Sequence, residues 1–243
     1  MSLLARRPSP FVFAAETLLV GAVLLLSACA GLGSGVRYRD RVFQTETRRG
    51  FELVPGEVAR RGSAFAIDAE GHLLTCAHNL FGGVGSTLDL RSRGRVVGAK
   101  VVAIHPDLDL ALLRAEHPLG AMPLELGELS PESGAELWAV GYPLGSRGEE
   151  DARVSAGRAS DSAREAVLEV RGEARLYREL LDTGAAIAEG WSGGPVLNAD
   201  GAVVGMLVLA DGRRGKSGIG YALRLAALRE ALADFEDLDL LAP

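Results

Sequence analysis

From Gly62 onward the chain alternates short apolar runs with glycine, proline and aspartate. Ser63–Asp68 and His72–Ala77 flank Ala69-Glu70-Gly71, a turn with glycine where a hairpin wants positive φ. Further apolar or alternating runs fall at 87–90, 96–104, 110–114, 136–140, 152–156, 166–170, 195–197, 203–209 and 219–222. Short strands at this spacing predict an all-β sandwich or barrels, not alternating βαβ units. One helix is expected at the end. Leu225, Leu228, Leu232 and Phe235 repeat at three and four, with Arg224, Arg229 and Glu230 off that stripe.

The first thirty residues have a different pattern. Arg6 and Arg7 precede an apolar stretch from Phe11 to Ala30, whose strongest part is Thr17 to Leu26. That part is too short for a hydrocarbon core of about 30 Å and fits a secretory h-region better. It ends in Leu26-Ser27-Ala28-Cys29, which resembles the bacterial lipoprotein signal. The resemblance implies that residues 1–28 are removed and that Cys29 takes a diacylglyceryl group as the new N-terminus. The other reading is an uncleaved anchor with Cys29 a bystander. Both put the rest of the chain outside the cytoplasm, tethered to a membrane of the cell envelope. Residues 29–60 read as a linker opening on Gly31, Gly33, Ser34 and Gly35. The folded domain is expected over 61–238, with 239–243 a tail and no second domain.

Composition narrows the function. Of the 243 residues, 48% are hydrophobic and 24% charged, which excludes wholesale disorder, and at 5% aromatic the core must be aliphatic. The net charge of −6 argues against a nucleic-acid partner. With Cys29 in the signal, only Cys76 is left, so no intrachain disulfide is available.

Three segments carry chemistry. In Gly190-Trp191-Ser192-Gly193-Gly194-Pro195, glycines around a serine permit a tight turn and clear side chains from backbone N–H groups that could hold an oxyanion. In Leu73-Leu74-Thr75-Cys76-Ala77-His78, a histidine stands where an apolar strand ends, as a general base must. The other histidines, His72, His105 and His117, have no such context. In Asp107-Leu108-Asp109-Leu110-Ala111-Leu112-Leu113, an acid heads a buried strand, which is costly unless paired, and a histidine N–H is a natural partner. Strand geometry alone lets either Asp107 or Asp109 serve. The order histidine, aspartate, serine is stronger than any one piece.

Those residues carry a family resemblance. From about Arg61 to Phe235 the chain resembles the trypsin-like serine proteases, specifically the HtrA/Deg branch. GSAFAIDAEGHLLTCAHNL resembles that branch's first hairpin and histidine segment, and DLDLALLRA its aspartate strand. LWAVGYPLG, VSAGRASD, LDTGAAIAEGWSGGPVLNADGAVVGM and GIGYAL follow in the same order. The resemblance implies two six-stranded antiparallel β-barrels with the site between them, followed by a C-terminal helix. It selects Asp109 over Asp107. It implies Ser192 as nucleophile, His78 as general base and acid, and Asp109 as the residue orienting His78. It implies an oxyanion hole from the N–H groups of Gly190 and Ser192.

The resemblance places Ala186 at the floor of the primary substrate pocket, with Ile187, Ile219 and Gly220 around it. With no acid there, cleavage is expected after small or medium aliphatic residues. Polypeptide substrates are implied, with no cofactor and no metal. A homotrimer is compatible with the resemblance; no PDZ domain is expected, so PDZ-based regulation is not implied. The chain departs from the family at Gly184, where an acid is usual, at Ala188-Glu189, and at Trp191, a bulky ring beside the nucleophile. Cys76 stands two residues before His78. Because these departures fall on the oxyanion loop, a catalytically silent relative that binds peptides stays open beside the endopeptidase. An esterase-like activity of the same serine is a third reading.

Overall fold

The structure is a computed structural model that describes residues 36–47, 60–105, 107–146, 151–170, 173–211 and 217–237. The expected signal, Cys29 and the tail lie outside the described residues.

Six strands form the first body: β1 (Val42–Thr47), β2 (Arg60–Ala66), β3 (His72–Thr75), β4 (Thr87–Ser92), β5 (Arg95–Ile104) and β6 (Ala111–Ala115). They close as a barrel in the order β1-β2-β3-β6-β5-β4, every pair antiparallel. Period-2 burial explains the closure. On β5, Val97, Ala99, Val101 and Ala103 face inward, and Leu73, Leu90 and Leu113 meet the first three in one apolar cluster.

The second body comprises β7 (Glu136–Gly141), β8 (Arg153–Arg158), β9 (Ser160–Val170), β10 (Glu173–Ile187), β11 (Pro195–Leu197), β12 (Val203–Asp211) and β13 (Gly218–Arg224). Their order is β8-β7-β11-β12-β13-β10-β9. The two end strands, β8 and β9, are separated in sequence by Ala159 alone. Counted as one bent strand, they make this the second six-stranded barrel. Its seam is tight at Gly157, where a Cβ would lie 2.2 Å from the Thr183 carbonyl oxygen. The chain ends in α1 (Leu225–Asp237), whose Leu225, Leu228, Ala231 and Phe235 are buried. Among the described residues no helix is long and apolar enough to cross a membrane.

The hairpin around Ala69–Gly71 and most of the other expected strands are present, with three differences. First, β1 lies inside the span read as a linker, yet all six of its residues are buried and it pairs with both β2 and β4. Val-Phe-Gln-Thr-Glu-Thr does not read as a core strand, because its polarity is satisfied only across the barrel. Glu46 meets Arg61 at 3.4 Å and Arg91 at 3.2 Å. Second, β10 was not among the expected strands; its mixed sequence lacks a period-2 signal. Third, β3 stops at Thr75, and Ala77–Asn79 form a 3₁₀ turn.

Candidate active site

The 3₁₀ turn presents His78 at the edge of the first barrel. Asp109, fully buried, sits in the approach to β6. One of its oxygens accepts the His78 backbone N–H at 2.8 Å, and the other meets His78 Nδ1. Its main-chain carbonyl accepts from Ala77 N at 3.2 Å. The carboxylate thus holds both the backbone and the ring of the histidine segment. It fixes the proton on Nδ1 and leaves Nε2 for the open side. Asp107 is exposed, so Asp109 is the acid that the fold pairs with His78.

Ser192 lies in the turn between β10 and β11. Gly190 and Gly193 hold φ of 92° and 86°, and neither has room for a side chain. A Cβ would stand 2.5 Å from the Tyr142 carbonyl oxygen at Gly190, and 2.1 Å from that of Ser63 at Gly193. The first barrel grips this turn directly. Ser63 N and Asn79 Nδ2 each donate to the Ser192 carbonyl at 2.8 Å. The Ser63 hydroxyl donates to the Gly190 carbonyl at 2.8 Å and accepts from Tyr142 N at 2.9 Å. Since Asn79 adjoins His78, the histidine and serine segments are tied by one side chain.

The Glu189 carbonyl accepts from Leu144 N at 2.8 Å. With no cis peptide among the described residues, the Gly190 N–H must point the opposite way. Among the described residues neither the Gly190 nor the Ser192 N–H meets a protein acceptor, so both stay available to an oxyanion. The departures at Ala188-Glu189 leave both N–H groups without a protein acceptor among the described residues. The Ser192 hydroxyl donates to the Val208 carbonyl at 3.2 Å and is not bonded to His78 in this state.

Cys76 is buried below this arrangement. Its thiol donates to the Leu207 carbonyl at 3.2 Å, which also takes the Gly193 N–H at 2.7 Å. Burial, and then the charge of Asp109, hold its pKa well above the ordinary value. Ligand atoms of Cys76, His78 and Asp109 gather within 4.8 Å of one another. They are spent on each other and on Leu207, and the direct His78–Asp109 contact leaves no gap for an ion between those two.

The residues expected at the substrate pocket lie on paired strands. Ala186 pairs with Ile219 and Ile187 with Gly218 across β10 and β13. Ala186 and Ile219 are exposed and Ile187 is buried. Thr183 Oγ1 donates to the Gly220 carbonyl at 2.7 Å and holds that edge. Sequence reasoning missed Ser63, Asn79 and Thr75, whose hydroxyl donates to the Ser63 carbonyl at 2.7 Å. The one signal was Gly62 before Ser63: a Cβ there would lie 2.1 Å from Asn79 Nδ2.

Two antiparallel barrels with a histidine–carboxylate pair on one and a glycine-flanked serine on the other define a two-barrel serine-hydrolase architecture. The comparisons with known proteins agree. The sequence pattern of the trypsin-like peptidase domain matches residues 62–206, and the chain belongs to that family. HhoA of Synechocystis sp., named as a serine protease, is 36% identical over 188 residues, 76% of this chain and 45% of its own. A DegP-like protein of Chlamydia muridarum, named as a periplasmic serine endoprotease, is 29% identical over 172 residues, 68% of this chain and 31% of its own. Among solved structures, the HtrA-type protease AlgW with a decapeptide superposes with a TM-score of 0.65 at 23% identity. That match covers 85% of this chain and 67% of AlgW. The chain spans less than half the length of these two curated relatives.

Proposed function

We propose that this protein is a serine endopeptidase of the HtrA/Deg type, working by acyl-enzyme chemistry. Ser192 Oγ attacks the scissile carbonyl carbon while His78 Nε2 takes its proton. The carbonyl oxygen becomes an oxyanion held by the N–H groups of Gly190 and Ser192. His78 then gives the proton to the leaving amine, and water hydrolyses the Ser192 ester by the same route. Asp109 keeps His78 in the Nδ1–H form and stabilises the imidazolium. The observation that carries this reading is the His78–Asp109 pair tied through Asn79 to a serine turn with two unspent N–H donors. Before attack Ser192 must leave Val208. A neutral hydrogen bond of this kind contributes about 1 kcal/mol, a small rearrangement. That same bond favours the second reading, a silent peptide-binding relative, only if the hydroxyl stays there with substrate bound.

Exposed Ala186 and Ile219, with buried Ile187 and Gly220 beside them, give the residue before the scissile bond an apolar, uncharged surface. Valine, alanine, leucine or isoleucine suits it, and a methylene is worth only about 1–3 kcal/mol, so the preference is loose. The DegP-like relative's periplasmic naming and the expected signal support action on envelope polypeptides from a Cys29 lipid anchor. Mass spectrometry of a digested unfolded protein tests specificity. Cuts should follow small aliphatic residues; cuts after arginine or lysine would overturn the pocket reading. Detergent-phase partitioning that vanishes in Cys29→Ser tests the anchor. Unchanged partitioning would instead favour an uncleaved segment.

A further inference from the structure

One histidine without a role in this chemistry braces the turn that carries Asp109. His105 follows the end of β5 and is 4% exposed. Its backbone N–H donates to the Leu110 carbonyl at 2.9 Å, closing the turn that contains Asp109. Inside that turn its Nδ1 lies 3.2 Å from Asp107 N and 3.1 Å from Leu108 N. Both partners are donors, so Nδ1 must be the acceptor and the ring proton sits on Nε2. Nε2 lies 3.1 Å from a carboxylate oxygen of Asp234 on α1. Phe235 of the same helix meets the ring edge-on, centroids 6.3 Å apart at 67°. One ring therefore joins the end of β5, the turn carrying Asp109, and a helix 129 residues further along the chain.

We propose that His105 is a positioning residue for Asp109 and that the docking of α1 reaches the His78–Asp109 pair through it. The inference rests on the proposed roles of Ser192, His78 and Asp109. The turn needs an acceptor at Nδ1 because the N–H groups of Asp107 and Leu108 immediately precede Asp109. Without that acceptor they turn toward water or other partners, and the carboxylate is freed to rotate off His78. The Nε2–Asp234 bond holds the ring in the orientation that offers Nδ1.

The test uses the full chain in detergent and four variants. His105→Asn keeps an oxygen near the Nδ1 position. His105→Gln keeps a donor near Nε2 and loses the near acceptor. His105→Leu loses both, and Asp234→Ala releases the helix end. Two readouts are taken on protein shown folded by circular dichroism. One is the rate of labelling by a fluorophosphonate. The other is the downfield proton resonance of the His78 Nδ1–H held by Asp109. Asparagine should keep the rate within about threefold and preserve the resonance. Glutamine and leucine should lose roughly tenfold or more, a fraction of what a general base supplies, and move or broaden the resonance. Asp234→Ala should fall between. Wild-type rate and resonance in a folded leucine or glutamine variant would overturn the proposal, as would equal losses in asparagine and glutamine. If leucine fails to fold, the asparagine–glutamine contrast decides. If the wild type itself does not label, the peptidase reading has failed, and the resonance still tests the positioning role.

Discussion

Trp191, next to Ser192, holds its turn through packing. It is 5% exposed and packs among Leu137, Ile187, Val196 and Leu207 in the second barrel. Its ring is thus an apolar anchor for the turn whose flanking N–H groups face the site. Its indole N–H has no partner among the described residues, so the anchoring is done by volume. Trp191→Ala should cost about 3–5 kcal/mol in urea unfolding and lower kcat more than it raises KM. Trp191→Phe should keep most of both, and an alanine variant of native stability would refute the anchor. Cys76 makes a separate prediction from its pH response. Its raised pKa keeps the folded thiol protonated where the unfolded thiol ionises, so its stabilising contribution is complete below pH 9 and declines above it. Thermal unfolding scanned from pH 8 to 10.5 should show an alkaline fall that is shallower in Cys76→Ala. Parallel curves would remove Cys76 from that account.

Among the elements, the histidine turn and the serine turn depend on each other through Ser63 and Asn79. Asn79→Ala removes the donor to the Ser192 carbonyl and to Thr75 Oγ1. Ser63 N still satisfies the Ser192 carbonyl, so the loss is that of a hydrogen bond, about 0.5–1.5 kcal/mol. The variant should be less stable by that amount and slower in acylation, as read by stopped-flow with an ester substrate; unchanged acylation would show that the tie is only structural. These elements also show what a sequence carries. The strands before His78, after Asp109 and after Ser192 were legible because apolar alternation and glycine turns are local signals; β10, which leads into the Ser192 turn, was not. β1 was not, since its glutamate finds its arginines only once the barrel has closed. Beyond the glycine at Gly62, Ser63 and Asn79 gave no signal, because a polar residue in a strand or short turn announces no partner. His105 looked bland because one end of its ring takes backbone N–H groups two and three residues on, which leave no side-chain signal, and the other meets Asp234, which only the fold brings near.

For the whole molecule, the site exists because two barrels meet. The first supplies His78, Asp109 and the polar grip of Ser63 and Asn79; the second supplies Ser192 and the pocket strands. The join is polar as well as packed: Gln44 Nε2 of β1 reaches the Ser146 carbonyl at 2.9 Å, and the Cys76 thiol reaches β12. Loosening either barrel should therefore abolish activity before it abolishes secondary structure. The central claim is that the meeting assembles an activated serine, and fluorophosphonate labelling of the full chain tests it most directly. The native protein should label, while Ser192→Ala should not label and His78→Ala should lose at least about a hundredfold in rate. A folded native protein that stays unlabelled, or a Ser192→Ala variant that labels as fast, would contradict it.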